Sequence, residues 1–115
     1  MSVLGLRGGV PLIFRSTAIP ASPGDLRHSW SRPNGGWTNY LIARNKGANV
    51  IRMYFNQADN DAAAGAGNAK YIEVPVAAAG QPYGEWKGPV ESREIWLKGI
   101  GGLGDIELVG FQRRG

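Results

Sequence analysis

The stretch GIGGLGD, Gly99 to Asp105, places glycines at 99, 101 and 104 in the spacing G-x-G-x-x-G. In dinucleotide-binding proteins that spacing lets a tight turn open a helix, whose free amides and positive dipole end receive a pyrophosphate. Here the glycines follow a strand-like run, REIWLKG, but no helix follows them. Asp105-Ile106-Glu107-Leu108-Val109 alternates as a strand, and what remains is shorter than the crossover of about a dozen residues that a parallel partner strand requires. The glycines are therefore expected to turn a hairpin between the last two strands.

Other residues capable of chemistry are sparse. Asp59-Asn60-Asp61, with Asn56 and Asn68 nearby, offers side-chain oxygens to calcium, yet Ala62, Ala63 and Ala64 stand where further ligands are needed and no bidentate glutamate closes the loop. A solvated loop tip is the expectation. His28 is the sole histidine, cysteine is absent, and no serine sits in a strand-to-helix elbow. Glu73, Glu85, Glu91, Glu94 and Glu107 could supply a carboxylate pair, but so short a chain has little loop to build a pocket around any two of them. These residues predict a protein that is not an enzyme, with no catalytic residues, no cofactor and no metal ligands.

The aromatic residues carry more. Trp30, Trp37, Trp86 and Trp96 sit among polar residues and glycines, in HSWSRP, GGWTNY, GEWKGP and EIWLKG. Such settings suit protein interfaces first, and sugar or base stacking second. Tyr40, Arg44, Arg52 and Tyr54 could share two adjacent strands and form a nucleic-acid platform, but the glutamates interrupt the candidate strands and the basic residues are scattered. The balance of 13 basic against nine acidic residues, net +4, suggests attraction to an acidic surface. Arg113 and Arg114 could clamp carboxylates of a neighbouring subunit with bidentate contacts. The candidate interface residues are Arg7, Arg15, Trp30, Trp37, Trp86, Trp96, Arg113 and Arg114.

The elements that must position these residues are strands. A chain of 115 residues closes one modest core, and 18 glycines with 7 prolines imply many turns. No stretch approaches the roughly 18 apolar residues of a spanning helix, and the apolar start is broken by Arg7, Gly8, Gly9 and Pro11, so a soluble protein without an export signal is expected. Residues 1–36, punctuated by Pro20, Pro23 and Pro33, predict an extended N-terminal arm containing one short strand around Val10, Leu12 and Phe14. Residues 37–115 predict the β-sandwich domain, with six further runs from TNYLIARN to DIELVGFQ and about seven strands in all. Alternation turns Ile51, Met53 and Phe55, then Ile72, Val74 and Val76, then Ile95 and Leu97, then Ile106 and Leu108 inward. Trp96, Lys98 and Phe111 fall on outward faces. Turn residues at Asn45-Lys46-Gly47 and Gly101–Gly104 predict hairpins, and Asn56–Ala69 predicts at most one helical turn. The expected fold class is all-β: a single-domain antiparallel β-sandwich, jelly-roll-like in its connections, with the N-terminal arm.

In NYLIARNKGANVIRMYFNQADNDA, YIEVPVAA and GEWKGPVESREIWLKGIGGLGDIELVGFQRRG, the chain resembles small all-β virion proteins of tailed bacteriophages, most of all capsid decoration or cement proteins. The resemblance covers Asn39 to Gly115 at most and rests on size and strand pattern. It implies a virion structural protein, frequently a homotrimer, on the capsid exterior, bridging subunits of the major capsid protein with neither a membrane nor a specific nucleic acid as partner. The alternatives are a phage tail, adaptor or fiber-base component, a carbohydrate-binding β-sandwich that stacks sugar on exposed Trp and Tyr, and a single-strand nucleic-acid binder whose affinity falls steeply with salt.

Overall fold

Short alternating runs produce eight strands and one short helix in the computed structural model, which describes residues 9–30, 37–62 and 70–113. In chain order these are β1 (Gly9–Ile19), β2 (Leu26–Ser29), β3 (Tyr40–Asn45), β4 (Val50–Tyr54), α1 (Gln57–Ala62), β5 (Ile72–Val74), β6 (Gly84–Gly88), β7 (Glu94–Ile100) and β8 (Gly104–Arg113). Two four-stranded sheets result, ordered β1-β8-β3-β6 and β2-β7-β4-β5. The antiparallel pairs are nested: β1 with β8, β2 with β7, β3 with β6 and β4 with β5. Pairings of β3 with β8 and β4 with β7 knit these pairs into the sheets. This nesting is the jelly roll, so the all-β antiparallel sandwich expected from the sequence is the fold.

The core lies between the sheets. Ile19, Leu41, Ala43, Ile106 and Leu108 from the first sheet meet Ile51, Met53, Val74, Ile95 and Leu97 from the second, all fully buried. Each of these side chains except that of Ala43 contributes about 1.5–3 kcal/mol by leaving water. The inward faces of β4, β7 and β8 are those that the alternation predicts. Val76 is the exception: it lies beyond the end of β5 and is exposed, because the chain has left the pleat that would have turned it inward.

The stretch expected to hold one short strand contains two. β1 runs for 11 residues along β8, and β2 runs along β7, so the described part of residues 1–36 supplies an edge strand to each sheet. Pro11 is compatible with β1 because an edge strand has a side on which no amide is needed. β2 escapes notice because LRHS carries one aliphatic residue among polar ones. With it the strand number rises from about seven to eight among the described residues.

Both predicted hairpins are corrected as well. Asn45 ends β3 in one sheet and β4 begins in the other, and Gly101–Gly104 likewise links β7 to β8 across the sandwich. Sequence neighbours in this topology mostly occupy opposite sheets, so their turns must cross the layer rather than pair the strands. The first corner is held by Asn45, fully buried: its Oδ1 accepts from the Gly47 amide at 2.9 Å, and its Nδ2 donates to the carbonyls of Asn49 at 2.8 Å and Val74 at 3.2 Å. At the second, Gly101 has a φ of +92° and a side chain on Gly99 would strike the Gly102 carbonyl oxygen. The Gly99 amide donates to the Pro20 carbonyl at 2.9 Å, so it is committed to the fold.

Among the described residues the one pair of consecutive strands that bond to each other is β4 and β5, and their connection carries α1. Asn56 caps this helix, accepting the Asp59 amide at 2.8 Å and donating back to the Asp59 carboxylate at 2.8 Å. The single predicted helical turn is thus a six-residue helix. No helix among the described residues is long and apolar enough to cross a membrane.

Candidate interaction surfaces

Strand alternation leaves the sheet β1-β8-β3-β6 with an outer face of two characters. In one row Arg15, Glu107, Arg44 and Glu85 lie side by side in register across all four strands. Arg15 is ion-paired with Asp105, Arg44 with Glu85 at 3.2 Å and with Glu107 at 3.6 Å, and Lys46 with Glu107 at 3.8 Å. The hydrogen bonds to Asp105 and Glu85 raise the pKa of Arg15 and Arg44 respectively. Being exposed, these pairs add little to stability. The neighbouring rows are apolar. Ile13, Val109 and Ile42 are aligned across three strands, and beside them Pro11, Phe111 and Tyr40, with the Tyr40 and Phe111 rings 6.3 Å apart. Ile13 is 70% exposed.

The other outer face, on β2-β7-β4-β5, is covered around Tyr54, Trp96 and Lys98, which the alternation turns outward. Lys98, fully buried, donates to the Pro23 carbonyl at 3.1 Å, lies 3.8 Å from the Asp25 carboxylate and sits 5.8 Å from the Tyr54 ring centre. Asn60 of α1 reaches the same carboxylate at 2.7 Å, tying the helix to the turn before β2. Asn60 and Asp59 are thereby engaged in holding α1, and among the described residues no cluster of three or more His, Cys, Asp or Glu could hold a metal. Arg52 and Tyr54 lie in this sheet, Tyr40 and Arg44 in the opposite one, and Tyr54 is buried, so these four do not form the shared platform a nucleic-acid binder would use.

At one end of the sandwich a polar clamp shapes a cleft. The Thr38 amide donates to the Ser92 carbonyl at 2.7 Å and the Ser92 amide returns to Thr38 at 3.0 Å. Their hydroxyls share a hydrogen bond of 2.8 Å, and the Trp30 indole N–H donates to Ser92 Oγ at 3.3 Å. This clamp holds Trp37, 51% exposed, beside Glu91 and Arg93. The end of β4 and the start of α1 bring Phe55, Asn56 and Gln57 to the same space, and β7 adds Glu94 and Trp96, bordering a half-open cleft of about 280 Å³.

His28 lies on the inward side of β2, its ring stacked on Phe14 at 4.1 Å and edge-on to Trp30 at 4.6 Å. Its Nε2 is buried with no hydrogen-bond partner among the described residues, and burial lowers its pKa from the ordinary 6.5. On acidification the unfolded chain takes up this proton before the folded one. Stability is therefore expected to hold above the unfolded value and to decline as pH falls through about 6.5 toward the lower folded value. Chemical denaturation at about pH 7 and about pH 5 checks this. The decline is expected to shrink in His28→Leu, and an equal decline in both proteins would place its origin elsewhere.

The predicted interface residues divide accordingly. Arg15 lies on the first outer face and Trp37 in the cleft. Trp96 is on an outward face, as the alternation predicts, yet it is only 6% exposed, flanked in the ladder by Arg27 and Tyr54. Trp30 belongs to the core and Trp86 packs against it, facing inward opposite Ala43, so neither is offered to a partner as expected. The reason is strand phase: Glu85 and Lys87 beside Trp86, and Ser29 before Trp30, occupy alternate positions on the other side of the pleat. Arg113 ends β8 opposite Gly9. Its side chain, with Arg7 and Arg114, lies outside the described residues. Sequence reading missed the aliphatic row of Ile13, Ile42 and Val109, which comes from three separate strands and is apolar only in combination.

Compared with known proteins, the chain matches no protein-family model, no curated protein and no solved structure.

Proposed function

We propose that this protein is a non-enzymatic structural protein of a phage virion, a decoration or cement protein on the capsid exterior that bridges subunits of the major capsid protein as a homotrimer. The observation that carries this reading is the apolar outer face built by Ile13, Val109, Ile42, Phe111 and Tyr40 beside a row of charges. A solvated sheet face normally alternates to polar residues, whereas an apolar centre with a charged rim is the composition of a permanent contact. The ion pairs along the rim neutralise one another within the chain, so sister copies can meet there without supplying counter-charges. The net charge of +4 then remains to favour an acidic shell.

The mechanism is linkage. A ligand that binds only the assembled shell raises the free energy of opening it by the binding energy gained at each site. A tail, adaptor or fiber-base position would use the same face at a different copy number. Jelly rolls serve capsid proteins and lectins alike, so the choice rests on the face and not on the fold.

Light scattering at low and high salt tests the assembly. A trimer resistant to salt is expected, because the contact is apolar. Ile13→Asp is expected to dissociate it while leaving the melting of the monomer nearly unchanged, since the residue is exposed. A monomer at both salts would overturn the trimer. The shell role is tested on particles: heads lacking the protein should assemble and then open at lower temperature, and heads of unchanged stability would refute it.

A further inference from the structure

We infer that the cleft beside Trp37 is a binding site for a neutral sugar ring, a proposal that stands apart from the shell reading because it uses different side chains. The indole of Trp37 is half exposed inside a concave space, and the Thr38–Ser92 clamp fixes the backbone on which it stands. An ordered, half-wet aromatic ring with an apolar face suits the C–H face of a pyranose.

The polar groups around it select the ligand's charge. Gln57, Glu91 and Arg93 line the cleft and make no side-chain hydrogen bond or ion pair with the described residues. Together they offer an amide that both donates and accepts, a carboxylate that only accepts and a guanidinium that only donates. A cation would call for acceptors alone, and an anion for donors alone. Adjacent hydroxyl groups, each donor and acceptor, use the mixed set. Glu94, the other carboxylate of the cleft, is already engaged by Ser29 at 3.2 Å and lies 3.7 Å from Arg27, which leaves Glu91 and Arg93 as a balanced pair. The volume of about 280 Å³ lies just below that of ordinary ligand pockets, which suits one ring of a glycan with the remaining rings leading out to solvent.

The test is a titration of nitrogen-15-labelled protein, following the four indole N–H signals, with cellobiose, lactose, mannobiose and chitobiose. Choline chloride and sodium sulfate serve as the charged comparisons. At least one disaccharide is expected to shift the Trp37 and Trp96 signals saturably, with Trp86, packed against the core opposite Ala43, as the internal reference. Trp37→Ala is expected to weaken that binding by about tenfold or more, while Trp37→Phe retains part of it. Glu91→Gln is expected to keep affinity within about threefold, because a neutral ligand needs an acceptor there rather than a charge. The proposal is overturned if none of the four sugars moves the Trp37 signal, if choline or sulfate moves it instead, or if Trp37→Ala, with its other signals unchanged, binds as the parent does.

Discussion

Trp30→Ala is expected to destabilise the protein by about 3–5 kcal/mol, the cost of removing a large buried aromatic side chain. Against a total of roughly 5–15 kcal/mol for a domain, that leaves a barely folded chain. Three contacts account for the size of the effect. The indole lies over Gly110, where an added Cβ would come within 3.0 Å of the ring. Its edge contact with His28 and its N–H bond to Ser92 join the core to the clamp that carries Trp37. Urea denaturation checks it, through a fall in midpoint without a change in slope. Trp30→Phe should retain much of the packing and lose chiefly the hydrogen bond, worth about 1 kcal/mol. A Trp30→Ala protein that kept its stability and failed instead to associate would return this residue to the surface role its polar neighbours suggest.

Gly99→Ala is expected to cost about 3 kcal/mol, the upper part of the range for overpacking. The new Cβ would meet backbone, the Gly102 carbonyl and, at 3.0 Å, the Gly104 nitrogen, and neither can rotate away as a side chain could. Both sides of Gly99 are also bonded to the turn before β2, through the Pro20 carbonyl at 2.9 Å and the Ser22 amide at 2.8 Å. Gly101→Ala offers an internal comparison. Its Cβ would find its nearest neighbour at 3.5 Å, so the penalty is the left-handed backbone alone, about 1–2 kcal/mol. Thermal melts of the two variants should therefore rank Gly99→Ala clearly below Gly101→Ala. The reverse order would mean that the corner closes differently, and a nucleotide turn would predict stable variants that had lost a ligand.

The apolar face and the Trp37 cleft are built from different side chains. The apolar rows of the first sheet adjoin the clamp, the Asn39 amide donating to the Phe111 carbonyl at 2.9 Å, but the two surfaces differ in composition: one combines aliphatic residues with Tyr40 and Phe111 and has its charges internally paired, the other sets Trp37 among Gln57, Glu91 and Arg93. A protein that coats a shell and also holds a sugar would need both, and each can be removed by a single exposed substitution, Ile13→Asp or Trp37→Ala.

The sequence by itself determined the all-β class, one hydrophobic side for each long strand, and the absence of a helix after the glycine fingerprint. These are local properties, since a period of two is set by the pleat and is visible in VIRMY, EIWLKGI and DIELV without reference to any other segment. Tertiary structure alone decided the rest. Asn45-Lys46-Gly47 and the final glycines have the same chemistry whether they close a hairpin or carry the chain across a sandwich, and only the strand order distinguishes the two. Lys98 alternates outward yet is buried, because the turn before β2, distant in sequence, folds over it and supplies the Pro23 carbonyl. The apolar face arose in the same way: Ile13, Ile42 and Val109 are unremarkable singly, and register across three strands brings them into contact. Which side chains a strand turns to one side follows from its own residues, whereas what lies over that side is decided by the strands and turns that the fold brings there.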